Sequence, residues 1–152
     1  MTGESSGFWT EFLQNRVMWA SFTAWLTAQF LKGVVGVLRK RRFNFKWFVN
    51  SGGMPSSHTA AVVGLATALG IEYGFDSPLV AIASVYALII MFDAQGVRRQ
   101  SGKQAEALNM ILDDIYAMKG IRMEPLKSLF GHTPIEVIAG ALVGVTVVLL
   151  VL

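Results

Sequence analysis

The stretch Gly52-Gly53-Met54-Pro55-Ser56-Ser57-His58-Thr59-Ala60 decides the fold, because a loop passes into a buried helix within it. Its two glycines permit unusual backbone angles, and the serines after the proline are good helix N-caps. An apolar run over residues 60–71 follows at once, so the histidine falls in the first turn of that helix. Because a helix N-terminus presents unpaired N–H groups and the positive end of a dipole, the stretch predicts an anion site.

The composition of the chain indicates a membrane protein. Of its 152 residues 53% are hydrophobic and 15% are charged, and the mean hydropathy is +0.51. A soluble domain of this length could hardly cover so much apolar surface. The absence of cysteine excludes disulfides and thiolate chemistry. No repeat or linker divides the sequence, so we expect a single domain over residues 1–152, with membrane lipids and not nucleic acid as partners.

Four segments are apolar and long enough to cross a bilayer: residues 17–38, 56–73, 79–92 and 134–152. Between the last two, Leu108, Ile111, Leu112 and Ile115 follow the spacing of an amphipathic helix over residues 103–118, lying at the membrane surface or packed on the end of the bundle. The predicted fold class is therefore all-α, an integral membrane helical bundle of about four transmembrane helices plus one amphipathic helix.

The basic residues are unevenly distributed between the predicted loops. They cluster over residues 39–46 and 98–127, whereas the turn at residues 74–78 and the end of the chain have none. The positive-inside rule then puts both termini outside and both basic loops in the cytoplasm, most simply in the plasma membrane. In the last span Gly140 and Gly144 have GxxxG spacing, which lets another helix approach closely and makes a homodimer possible.

This topology predicts that the ionisable residues of the spans converge. Lys32, His58, Asp93, Arg98, Arg99 and His132 all fall at the ends of helices on the same, cytoplasmic, side. Ionisable groups at membrane depth are costly and usually functional. For Asp93 the alternative is a salt bridge to Arg98 or Arg99 that merely holds the helix end.

The segment Gly131-His132-Thr133-Pro134-Ile135-Glu136 has two readings. Thr133 with Glu136 three residues later forms a capping box, with Pro134 at the first helical position. Glu136 also lies four residues after His132, so its carboxylate can fix the imidazole tautomer. We expect that one carboxylate does not fully serve both purposes, and we favour orientation of the histidine.

Together these motifs resemble the type-2 phosphatidic acid phosphatase superfamily, which shares its active site with the vanadium haloperoxidases. Pro55-Ser56-Ser57-His58 is similar to its Pro-Ser-Gly-His motif, and His132-x-x-x-Glu136 to its His-x-x-x-Asp motif. The sequence Gly-Gly-Met-Pro-Ser-Ser-His, together with residues 92–99 and 131–134, resembles the divergent small-membrane-protein branch of the superfamily more closely than it resembles the superfamily as a whole. The likeness extends from about Lys32 to Gly144.

The sequence departs from the family pattern in several places. Ser57 replaces a glycine and Glu136 replaces an aspartate. Lys32 and Arg39 have the spacing of the upstream motif, but Lys40 stands where that motif has proline. The arginine six residues before the second histidine is also missing, since that position is Leu126.

The resemblance implies a phosphatase that uses neither a metal nor a cofactor. His132 would be the nucleophile, His58 the general acid and Glu136 the partner of His132. The implied phosphate-binding residues are Lys32, Ser56, Ser57, Arg98 and Arg99, and the supporting ones are Asp93, Gly53 and Thr133. The position of the site at the headgroup layer indicates a phospholipid or prenyl phosphate as substrate.

Two other functions are compatible with the sequence. A non-catalytic lipid-binding or scaffold protein needs only the membrane bundle. Asp93 and Arg98 also have the Asp-x4-Arg spacing with which CDP-alcohol phosphotransferases begin their metal motif, but Ala94 replaces its glycine and no Asp-x3-Asp follows.

Overall fold

A computed structural model describes residues 7–40, 53–119 and 131–152. These residues form six helices: α1 (Gly7–Gln14), α2 (Arg16–Lys40), α3 (Ser57–Tyr73), α4 (Pro78–Gln95), α5 (Val97–Lys119) and α6 (Pro134–Val151). No strand occurs in this part of the chain. The predicted all-α class is confirmed.

Three segments of the described chain are long and apolar enough to cross a membrane. They are Arg16–Leu38, Pro78–Asp113, which contains α4 and much of α5, and Pro134–Val151. The fourth predicted span, α3, has 17 residues, at the lower limit of about 17–25 residues for a spanning helix. It packs against α2, α4 and α6, so it lies among the three longer helices. The membrane bundle is confirmed, and the crossing of the bilayer by α3 stays a prediction.

The helix ends follow the capping signals in the sequence. Ser56 caps α3, Ser77 caps α4 and Thr133 caps α6, and a proline occupies the first turn of α4 and of α6. These caps accept backbone N–H groups that otherwise lack an intrahelical partner. The short α1 helix, of eight residues, precedes the first predicted span.

Small residues form much of the core. On α2 it is formed by Ala20, Ala24 and Ala28, each fully buried and spaced four residues apart. Gly140 and Gly144 of α6 lie directly on α3: a methyl group added at Gly140 would collide with the Ser56 carbonyl, and one at Gly144 would come within 2.6 Å of the Ala60 carbonyl. Without a hydrophobic driving force between helices in lipid, close contact of this kind is what holds them together.

The two glycines therefore serve packing within one chain. The sequence suggested them as a face for a homodimer, but α3 already covers that face. A homodimer would have to use another surface of the bundle.

The amphipathic α5 helix begins earlier than expected, directly after the single non-helical residue Gly96. Its apolar positions Leu108, Ile111 and Ile115 are 45–54% exposed, and α4 is the one described helix with which it has appreciable contact. Among the described residues the bundle does not cover this stripe, which agrees with a helix that lies at the membrane surface.

Polar contacts tie the helices together at both ends of the bundle. At one end Arg16 of α2 lies 3.7 Å from the Glu72 carboxylate of α3 and donates to the carbonyl of Leu152. At the other end the Ser56 N–H donates to the Glu136 carbonyl, and the His132 N–H donates to the Ala94 carbonyl. The second set brings the ends of α3, α4 and α6 to one place, where the candidate site lies.

Candidate active site

The N-terminus of α3 forms one wall of the site. Ser56 is fully buried, and its hydroxyl accepts the Thr59 N–H at 3.4 Å and the Thr59 hydroxyl at 3.0 Å. Ser57, the first residue of the helix, is 2% exposed. The helix N-terminus, with both serines, is therefore buried in the end of the bundle, and a helix N-terminus is a favourable place for an anion.

Lys32 of α2 contributes a cation to this wall. It is 4% exposed, and its Nζ donates to the Ser57 hydroxyl at 3.3 Å and to the Gln29 side-chain oxygen at 3.3 Å. The Glu136 carboxylate also interacts electrostatically with it. A lysine buried in a membrane span needs such partners, since an isolated charge there is costly.

Gly53 lies on the hydrocarbon part of the same lysine. Its φ angle is +104°, in the region that side chains rarely adopt, and an added Cβ would lie 3.5 Å from Lys32 Cγ. A Cβ at that distance would make an ordinary contact, so the position favours glycine for its φ angle and not for lack of space.

His132 lies just before the start of α6, at the same end of the bundle. It is 1% exposed, and its Nδ1 lies 3.1 Å from Glu136 Oε2. An ionised carboxylate can only accept hydrogen bonds, so a neutral His132 must carry its proton on Nδ1 and its lone pair on Nε2. Nε2 is itself buried. The contact therefore selects the tautomer that a nucleophilic Nε2 requires.

Glu136 also closes the capping box, which corrects the expectation that it could not serve both purposes. The same Oε2 atom accepts the Thr133 N–H at 3.0 Å, while the Glu136 N–H donates to the Thr133 hydroxyl at 3.4 Å. One carboxylate oxygen has two lone pairs and accepts both donors. The cap and the orientation of His132 are thus a single structure.

His58 and Asp93 lie in the elements that border the site. His58 is the second residue of α3, half-buried, with a buried Nδ1. Asp93 is half-buried in the last turn of α4, one residue before the carbonyl that accepts the His132 N–H. Both residues make interactions in the structure.

The remaining predicted phosphate ligands are not described to the same depth. Arg98 and Arg99 lie in the first turn of α5, two and three residues after Gly96, and their side chains lie outside the described part of the structure. Two other basic residues could supply charge to a phosphate, Arg39 and Lys127; the side chain of Arg39 and the whole of Lys127 also lie outside the described residues. Their contact with phosphate stays a prediction.

Gln29 of α2 is not among the residues that the sequence predicted for the site. The structure shows its side-chain oxygen on the Lys32 ammonium. This contact could have been predicted from the sequence, because residues three apart on a helix are neighbours and a glutamine in a span needs a hydrogen-bond partner.

A buried histidine with a fixed tautomer thus lies at the same end of the bundle as a buried lysine and a serine-capped helix N-terminus. A sequence profile of the divergent PAP2 family matches residues 13–147, which include all of these groups. The chain belongs to the divergent PAP2 family. This confirms the resemblance drawn from the two histidine motifs.

One relative of this divergent PAP2 protein has a similar sequence over nearly its whole length. The uncharacterized membrane protein YuiD of Bacillus subtilis (strain 168) is 37% identical over 150 residues, an alignment that covers 91% of this chain and 95% of the relative. No solved structure matches the chain. Membership of a membrane protein family is therefore shown, and the activity has to be argued from the site.

Proposed function

We propose that this protein is a membrane phosphatase that hydrolyses the phosphomonoester of a lipid through a phosphohistidine at His132. The observation that carries the proposal is the contact of His132 Nδ1 with Glu136, since it leaves Nε2 as the atom with a lone pair. A histidine at 1% exposure and a lysine at 4% exposure at the same end of the bundle are costly to bury in a structure that needs only apolar packing.

In the first half of the reaction His132 Nε2 attacks phosphorus opposite the alcohol oxygen. The P–N bond forms, the P–O bond to the alcohol breaks, and His58 gives its proton to the leaving oxygen. The three remaining phosphate oxygens carry the charge that must be neutralised. Lys32, the Ser57 hydroxyl and the N–H groups of the first turn of α3 are suited to that, with Arg98 and Arg99 as further candidates.

In the second half water replaces the histidine. His58, now neutral, takes a proton from the attacking water, the P–N bond breaks and inorganic phosphate leaves. Glu136 stabilises the positive charge that His132 carries while phosphorylated. Positioning, charge neutralisation, the His132 nucleophile and proton transfer by His58 together account for the proposed reaction, and neither half uses a group from outside the chain apart from substrate and water.

The charge distribution supports a cytoplasmic site in the plasma membrane. Lys32 and His132 lie at the end of the bundle where α2 ends and α6 begins, the side to which the basic loops belong. A phosphate at this depth lies near the headgroup layer, which favours an amphiphilic substrate such as a phospholipid or a prenyl phosphate.

The experiment is hydrolysis of a panel of lipid phosphates by the purified protein, with and without a chelator. The proposal expects phosphate release that the chelator does not reduce and that vanadate, a mimic of the pentacoordinate transition state, inhibits competitively. Loss of activity with chelator would instead indicate a metal enzyme of the CDP-alcohol phosphotransferase kind. Binding of lipid phosphates without hydrolysis of any would indicate a non-catalytic lipid-binding protein.

A further inference from the structure

A groove between α3 and α4 is not used by the proposed chemistry. It encloses about 390 Å³, within the range of ligand pockets, and its lining is apolar apart from two hydroxyl groups. One of these, on Thr67, already donates to the Val63 carbonyl. Leu88 on its border is 53% exposed, so the groove opens to the surface that faces lipid.

The groove runs along the bundle towards the candidate site. Phe75, in the turn between the two helices, lines it at the far end, and Val63 of α3 and Met91 of α4 line it nearest the site. Met91 precedes by three residues Ala94, whose carbonyl accepts the His132 N–H, and three residues of helix rise about 4.5 Å. The apolar groove thus ends about one turn of α4 before the residue whose carbonyl contacts His132.

We propose that this groove holds a hydrocarbon chain of the lipid whose phosphate lies between Lys32 and His132, and that it makes the protein specific for long-chain lipid phosphates. This inference rests on the proposed function and names the substrate class. A phosphate at the end of the bundle leaves its hydrocarbon chain to extend into the bilayer, and the groove offers that chain a path along α3 and α4. The polar end of the substrate meets the cation, and the apolar end meets apolar side chains.

The groove acts by positioning. Lipid tails are as apolar as the groove, so entering it from the bilayer gains little from the hydrophobic effect. A chain held in a fixed path keeps the phosphorus atom aligned with His132 Nε2, and misplacement of about 1 Å can cost 10²-fold in rate. The groove should therefore affect turnover of long-chain substrates and leave short, soluble phosphate esters unaffected.

The first test fills the groove. Ser84→Phe adds bulk from an exposed position of the lining, so the bundle can tolerate it. We expect kcat/KM for a long-chain phosphatidate to fall about 10- to 100-fold and hydrolysis of a soluble aryl phosphate to stay within about twofold. The matched control is Ile89→Trp on the same helix, a residue 59% exposed and outside the lining, which should change neither rate. Equal loss on both substrates, or no loss on either, would overturn the proposal.

The second test does not require activity. Phosphatidate with a photoreactive diazirine in its chain, in vesicles with the purified protein, should label the segments 63–67 and 84–91, and vanadate should reduce the labelling by displacing the headgroup. A diazirine phosphatidylcholine, which is a diester, should label these segments much less. Equal labelling by both lipids, or labelling that vanadate leaves unchanged, would mean that the groove holds bilayer lipid only. Labelling is measured independently of hydrolysis. If the groove is labelled as expected but no lipid phosphate is hydrolysed, the proposed function is wrong and the assignment of the groove to the lipid chain still holds.

Discussion

At the scale of single residues, Glu136 shows how much depends on one oxygen atom. Its Oε2 holds the His132 Nδ1 at 3.1 Å and the Thr133 N–H at 3.0 Å. The spacing of the three residues predicted both contacts separately. It could not show that they coexist, because that depends on the directions of two lone pairs and hence on the rotamer of the side chain.

We expect Glu136→Gln to reduce phosphatase activity at least about tenfold while the protein stays folded. The amide oxygen can still accept a hydrogen bond, but the charge that supports the imidazolium is lost, and a charge-assisted hydrogen bond is worth about 1.5–3 kcal/mol. Steady-state rates measure the loss of activity, and thermal unfolding shows whether the protein stays folded. Glu72→Gln, at the opposite end of the bundle, is the matched control and should leave the rate unchanged. Equal rates for both variants would remove Glu136 from the mechanism.

His58 should be distinguishable from His132 by the leaving group. Replacement of His58 by alanine removes the proton donor, which contributes about 10²–10⁴-fold where the leaving alcohol needs a proton. An aryl phosphate, whose phenolate leaves unprotonated, should recover most of that loss. The measurement is kcat of the wild-type protein and of His58→Ala on a lipid phosphate and on an aryl phosphate. An equal loss on both substrates would contradict the role of general acid.

At the scale of helices, the N-terminal ends of α3, α4 and α6 were predictable and the pairing of the helices was not. Ser56, Ser77 and Thr133 are capping residues in the sequence, and they cap α3, α4 and α6 in the structure. The GxxxG pair in α6 predicted a close helix contact but not the partner. A stripe of small residues predicts only that another backbone packs closely against it. Which helix that is depends on the arrangement of the whole bundle.

Gly140 should be the position in α6 that tolerates added volume least. We expect Gly140→Leu to destabilise the protein by about 1–3 kcal/mol or more, because the side chain would enter the space of the Ser56 carbonyl and displace the start of α3. Denaturation in detergent measures it. The control Leu142→Phe adds volume on the same helix at a position that is 64% exposed, and it should have little effect. Similar stability of the two variants would show that α6 and α3 do not pack through this glycine.

At the scale of the whole molecule, the alternation of the spans made it predictable that the candidate site residues meet at one end of the bundle. Once consecutive helices cross in opposite directions, Lys32, Ser57 and His132 must lie at one end, and the structure brings their elements together there. The groove between α3 and α4 was not predictable, since its volume depends on how two apolar helices diverge. The contact of Gln29 with Lys32 was predictable, because residues three apart on a helix are neighbours.

Cysteine labelling tests the orientation of the molecule. The chain has no native cysteine, so single cysteines at Asp76, in the exposed turn before α4, and at Lys103 on α5 report one side each. In intact cells an impermeant maleimide should modify Asp76→Cys, whereas Lys103→Cys should react only after permeabilisation. The reverse pattern would place the site on the outer face and would change the pool of lipids that it meets.

The most direct test of the proposed phosphatase is the chemical fate of the phosphoryl group. The protein is mixed with a substrate labelled in its phosphate and quenched within milliseconds into alkali, in which phosphohistidine survives, and the labelled peptide is then mapped. We predict label on His132 in the wild-type protein and in His58→Ala with an aryl phosphate, and neither label nor turnover in His132→Ala. Turnover by the wild-type protein without label on His132, together with continued turnover by His132→Ala, would contradict the account.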